Sequence, residues 1–210
     1  MKRYIYLLIL GVCVLGMKAQ DMKALFIAMP DQYIPQLESA WRKDLVDLYE
    51  SGKEARLKNT MNGYSQLMKL TGDYMLLQTT ERSTVEMKML PLVNNTHIIC
   101  MVTTIDAPIS DSRIDFYTTG WEPLAASDLI SPVSADWFIK EEADRTSDTY
   151  KDAMARLDMD LITYRLNPEN QTLEASYTTP LYLTKAERAK ITPFLKDSPK
   201  VYTWEKFQFK

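Results

Sequence analysis

The chain has 210 residues, with 25 Lys and Arg against 28 Asp and Glu, and only one His, two Cys and six Gly. That length supplies one large domain or two small ones, and the mild acidity argues against nucleic acid and anionic lipid surfaces as partners. So few His and Cys exclude a multi-ligand zinc site, and so few glycines leave no phosphate-cradling loop.

Residues 1–20 read as a signal peptide. Lys2 and Arg3 open it, Tyr4 to Gly16 is an apolar run too short to span a bilayer comfortably, and Lys18-Ala19-Gln20 leads to cleavage near Gln20/Asp21. The leader holds three basic residues and no acidic ones, so residues 21–210 carry 22 basic against 28 acidic residues, a net charge of −6. Cys100 is then the only thiol left, in a compartment where disulfides are permitted. Lying in an apolar run, it reads as buried and inert.

Residues 21–210 read as a single α+β domain, with a subdivision open near 120–135. Ala24 to Met29 is a short apolar stretch ended by Met29-Pro30-Asp31. A helix is predicted from Pro35 to Ser51: proline suits its first position, and Leu37, Trp41, Leu45, Leu48 and Tyr49 form one apolar stripe. Glu38, Arg42, Lys43 and Asp47 fall elsewhere, and Gly52 is the expected stop. Asn62-Gly63 between two strand-like runs predicts a tight hairpin.

The centre of the chain, Tyr74 to Thr119, reads as consecutive antiparallel strands. In Thr84 to Leu90, Val85, Met87 and Met89 alternate with Thr84, Glu86 and Lys88, which predicts one dry and one wet face. Further on, Ile98, Cys100 and Val102 face one way and Ile99, Met101 and Ile105 the other, so this strand is expected to be covered on both faces. Arg113 to Thr119 is the last strand of the run, with Ile114 and Phe116 on its dry side. The fold class expected is thus an antiparallel meander sheet covered by amphipathic helices.

Beyond a loop over Gly120 to Pro132, a short helix is predicted at Ala135 to Ile139 and another from Ser147 or Asp148 to Leu157. Two strands follow, Asp160 to Leu166 and Thr172 to Thr178, turning at Asn167-Pro168. Thr184-Lys185-Ala186-Glu187 fits a capping box for a helix from Lys185 to Leu195. Lys200 to Phe209 reads as one strand inserted into the sheet, with Val201, Phe207 and Phe209 opposite Tyr202 and Trp204.

The chemistry these residues offer is sparse. His97 and Cys100 are three apart on one strand and so face opposite ways, which rules out a local dyad. Asp111 with Asp115, and Asp158 with Asp160, are the carboxylate pairs in reach of acid–base work or calcium, though both read first as solvated turn residues. Met61, Met68, Met75, Met87, Met89 and Met101 gather around the strands, as core filling or as an adaptable apolar face. Trp121, Trp137, Tyr202 and Trp204 form the candidate binding surface, an aromatic platform, with burial as the competing reading. No catalytic residue, metal site or cofactor is indicated.

The leader ending Lys18-Ala19-Gln20-Asp21, the entry Phe26-Ile27-Ala28-Met29-Pro30 and the run Asp111 to Pro123 (DSRIDFYTTGWEP) resemble an uncharacterised family of exported Bacteroides-type proteins, catalogued as a domain of unknown function. The resemblance implies export from a diderm bacterium. The helix-then-meander order is also similar, more loosely, to β-lactamase-inhibitor-like and PepSY-like periplasmic modules, an analogy of fold alone. The expected function is a non-enzymatic binding module, exported to the periplasm or outer envelope. It would take an unknown protein or envelope component as partner and have no stable membrane insertion after signal cleavage. An apolar-ligand (lipid) carrier using the Met-rich face and a carboxylate-dependent glycan hydrolase are the alternatives.

Overall fold

The computed structural model of the protein describes residues 21–210, so the expected signal peptide lies outside the described residues. Helix α1 (Met22–Ala28) starts where the Asp21 carboxylate accepts the Ala24 N–H, the usual device for one of the unpaired amides of a first turn. Helix α2 (Ser39–Glu50) is four residues shorter at its start than the expected helix from Pro35. The Pro35 and Gln36 carbonyls accept hydrogen bonds from Thr60, so they are not available to a helical ladder. Gly52, at φ +68°, stops α2 as expected.

Arg42 corrects the expected pattern on α2, because it is wholly buried. Its guanidinium donates to the carbonyls of Leu37, Met29 and Ile27 and to Asp31 Oδ1 at 2.9 Å, which ties the end of α1 and the following loop to α2. The apolar stripe places Leu37, Leu45 and Val46 in the core with it.

The central sheet has seven strands in simple sequence order, each antiparallel to the next. They are β1 (Arg56–Lys58), β2 (Tyr64–Leu70), β3 (Tyr74–Thr80), β4 (Ser83–Pro91), β5 (His97–Asp106), β6 (Ser110–Thr118) and β7 (Pro123–Leu124). The meander expected over 74–119 is therefore present. The tight turn expected at Asn62-Gly63 is instead a longer loop: Lys58 pairs with Tyr64, and only Asn62 of the dipeptide has a positive φ. Asn59 organises that loop from inside, accepting the N–H groups of Met61 and Gly63 while donating to Ser65 Oγ and the Thr79 carbonyl.

A second, four-stranded sheet is the main departure from expectation. It is built from β8 (Ile162–Leu166), β9 (Thr172–Tyr177), β10 (Lys200–Glu205) and β11 (Gln208–Phe209), in the order β11-β10-β9-β8. The terminal segment is a hairpin, not one strand: Lys206 and Phe207 both take positive φ, at 50° and 65°, the left-handed pair of a two-residue turn. Reversal there brings Phe209 to the same buried side as Tyr202 and Trp204 and leaves Val201 and Phe207 exposed. Helix α3 (Asp148–Met154), capped by Ser147, and helix α4 (Lys185–Ile191), with the expected Thr184/Glu187 capping box, pack on each other and are joined by an Arg156–Glu187 ion pair. Both stop short of the predicted ends. In α4 the chain tightens over Thr192–Phe194, where Pro193 offers no N–H to a helical ladder.

The layers are thus helix, sheet, sheet. On one face of the seven-stranded sheet, α1 and α2 cover Leu67, Met75, Leu77, Met87, Ile99 and Met101. On the other face, the small sheet brings Leu166, Leu173, Ala175, Tyr202 and Trp204 against Ile98, Cys100, Val102 and Phe116. Coverage of β5 on both faces is as expected, except that Ile105 is exposed beyond the roof. The expected wet face of β4 is corrected. Glu86 and Lys88 pair across the strands with Val102 and Cys100, so they share a face the small sheet buries. Lys88 Nζ is neutralised there by Asp73 at 2.8 Å and held by the Pro168 carbonyl at 2.9 Å.

Candidate functional site

The small sheet is narrower than the large one, and its edge strand β8 lies over β4, β5 and β6. Both ends of β8 are pinned by carboxylates from below. Ile162 N–H donates to Asp111 Oδ1 at 3.1 Å, and Leu166 N–H to Glu86 Oε2 at 2.8 Å. Between those pins, on the side of β2 and β3, lies a cleft of about 380 Å³. Its floor is Met68, Leu76, Thr84, Glu86 and Thr104; Thr163, Tyr164 and Arg165 form the β8 wall, and Asp106, Ser110 and Thr178 close one end.

The rim is rigidly built. Thr178 Oγ1 donates to the Ser110 carbonyl at 2.7 Å, Ser110 Oγ donates to Asp106, and Thr104 and Ser112 hydroxyls meet at 2.8 Å. Beyond the opposite end of β8, Lys69 reaches from β2 to Glu169 at 3.0 Å, bridging the two sheets. Apolar surface is left open in the floor, where Met68 is 52% exposed.

Glu86 is 7% exposed, and that burial pushes its carboxyl above the ordinary range; the Leu166 N–H, Arg165 and Tyr74 pull the other way. The Tyr74 phenol is raised as well, by burial first and by the Glu86 charge second. The exposed Arg165 guanidinium and the buried Glu86 carboxyl therefore stand near one another at the cleft, one a pure donor and the other an acceptor that protonates above the usual pH. Such a surface offers both hydrogen-bonding senses beside some apolar area.

The residues expected as an aromatic platform are not brought together. Trp121 is buried under the helices, its Nε1 donating to the Leu25 carbonyl at 3.2 Å and its ring near Tyr33 and Tyr117. Tyr202 and Trp204 are buried between the sheets, donating to the carbonyls of Ser131 and Pro91, each at 2.9 Å. Burial also pushes the Tyr202 phenol up to about 12. Trp137 alone is half-exposed, with Lys196 Nζ 4.2 Å above its ring.

The Met-rich face is likewise closed: Met75, Met87, Met89 and Met101 are sealed under α1 and α2, while Met61 is exposed in the β1–β2 loop and Met68 lies in the cleft. Neither expected carboxylate pair lines the cleft. Asp111 pins β8, Asp115 pairs with Arg113 at 2.7 Å, and Asp158 and Asp160 are exposed ahead of β8. Cys100 is buried, and burial raises its thiol pKa. Among the described residues no group of three or more His, Cys, Asp or Glu is placed to hold a metal ion, and no helix is long and apolar enough to cross a membrane.

Glu86 and Arg165 were missed by sequence reading. The signal existed for Glu86. If Cys100 and Val102 face a second cover, whatever β4 places beside them faces it too, and the register puts Glu86 and Lys88 there.

Residues 14–209 match the family described as "Protein of unknown function (DUF3256)". The chain belongs to that family. A solved domain of an uncharacterized protein from Porphyromonas gingivalis W83 is similar to this DUF3256 chain at 30% identity and a TM-score of 0.82, over 91% of this chain and 98% of that one. No curated protein matches. The DUF3256 relationship thus supplies a fold and a bacterial neighbour, and the cleft is argued from this chain's own residues.

Proposed function

We propose that the protein is an exported, non-enzymatic binding module of the bacterial envelope and that it takes its partner in the cleft beside β8. The leader-like residues 1–20 support export, and the Porphyromonas neighbour supports a bacterial source. The observation that carries the binding role is the cleft itself: a nearly buried carboxyl, an exposed guanidinium and uncovered Met68 are held on two rigid sheets. A binding site gains from such preorganisation because little ordering entropy is lost when the partner arrives.

The test is a parallel pull-down from the native envelope with tagged residues 21–210 and with a cleft-filled variant, Thr84→Trp with Met68→Lys, whose circular dichroism is first matched to the parent. A partner recovered by the parent and lost from the variant is the expected result. Equal recovery by both places the binding surface elsewhere and overturns the proposal.

A further inference from the structure

We propose that the cleft takes its partner as an extended peptide, added as one more strand alongside β8; this rests on the cleft being the binding site. The β8–β9 ladder fixes which backbone groups point where. Asn167 N–H donates to the Thr172 carbonyl and Thr178 N–H to the Leu161 carbonyl, with no register shift between them. Hydrogen-bonded pairs alternate along an antiparallel ladder, so residues 161, 163, 165 and 167 are satisfied by β9, and Ile162, Tyr164 and Leu166 turn their N–H and C=O groups outward.

Two of those three outward amides are occupied, by Asp111 and Glu86. Tyr164 stands between them, and among the described residues no hydrogen bond occupies its N–H. The rim therefore offers one donor at Tyr164 and a row of three carbonyls. An antiparallel peptide matches this with a residue that exchanges both bonds with Tyr164, and with N–H groups two positions either side that reach the Ile162 and Leu166 carbonyls. The carboxylate caps fix the register, because the incoming chain finds a free donor at one position only.

The floor suits the same guest. A strand beside β8 lies over the part of the large sheet that the small sheet leaves uncovered, so one alternate set of its side chains rests on Met68 and Leu76. Glu86 and Asp106 outnumber Arg165 at the cleft, which favours a peptide with a basic residue in that set and disfavours an acidic one.

The experiment uses residues 21–210 and a library of random linear ten-residue peptides displayed on phage. An enriched peptide is synthesised and then N-methylated one amide at a time. Strand addition predicts that methylation at alternate amides weakens binding ~10-fold or more while methylation at the others changes it less than about twofold. It also predicts that the Tyr164 amide becomes protected from hydrogen exchange in the complex. A peptide that shifts the Met68 and Thr84 signals yet tolerates N-methylation everywhere overturns strand addition and leaves cleft binding standing. Failure to enrich any peptide overturns strand addition too, and the pull-down with the filled cleft then decides the cleft on its own.

Discussion

Glu86 has two roles that oppose each other. Its carboxylate caps the Leu166 amide and so joins the sheets, yet its burial disfavours the charge that makes it a good acceptor. Because the folded-state pKa is raised, the folded protein holds this proton to higher pH than the unfolded chain. The stability linked to it is complete below the unfolded value and lost as pH rises through the folded value. Glu86→Gln keeps a carbonyl oxygen for the Leu166 amide and removes the titration. We expect the variant to gain stability relative to the parent between pH 4 and pH 7 in urea titrations. A gain that shrinks over that range would mean the ionised carboxylate is stabilised in the fold. Residues of this kind were the hardest to read. Cys100 was legible because every neighbour in its run is apolar, whereas Arg42, Glu86 and Lys88 are buried charges whose partners are backbone carbonyls, an edge-strand amide and Asp73, all set by tertiary packing. Their flanking residues do not distinguish them from surface charges; only the cross-strand register with Val102 and Cys100 marks Glu86 and Lys88.

At the scale of single elements, local chemistry was read well where a side chain meets its own backbone. The Thr184/Glu187 box, the Ser147 cap and the stop at Gly52 are all present, since each needs only residues a few positions apart. Elements set by distant partners were misread. Thr60, across the loop, takes the start expected of α2, and Lys200–Phe209 reads as one strand because Lys206-Phe207 lacks the glycine or asparagine such a turn prefers. That turn is a place where the molecule can be stabilised. Left-handed backbone costs an ordinary residue roughly 1 kcal/mol, and Phe207 returns little of it, being 45% exposed. The double change Lys206→Asn with Phe207→Gly should therefore raise stability by ~1 kcal/mol or more, seen as a higher urea midpoint at unchanged slope. No change would show that the Phe207 ring contributes packing that offsets the strain.

Across the whole molecule, the meander sheet was legible from strand alternation, and the second cover was legible only as a requirement. Ile98, Cys100 and Val102 demand a roof, but period-two patterning does not say whether helices or strands provide it. The structure answers with strands contributed from the last third of the chain, so the two sheets share one core. Two aromatic reporters lie on opposite sides of the large sheet, Trp121 under the helices and Trp204 between the sheets. Single-Trp variants retaining one or the other should report the same urea midpoint, and a fragment of residues 21–125 should bind a hydrophobic dye, because its Ile98–Cys100–Val102 face is bare. Separate midpoints would show that the layers unfold independently.

The large sheet also ends gently. Its outermost members are three residues long at β1 and two at β7, the former framed by Arg56 and Lys58. Neither border is long enough to template a neighbouring molecule, which guards against rim-to-rim polymerisation. Whatever pairs with this molecule through its backbone must therefore come to the smaller layer, where two acidic side chains already decide how much of the border is open.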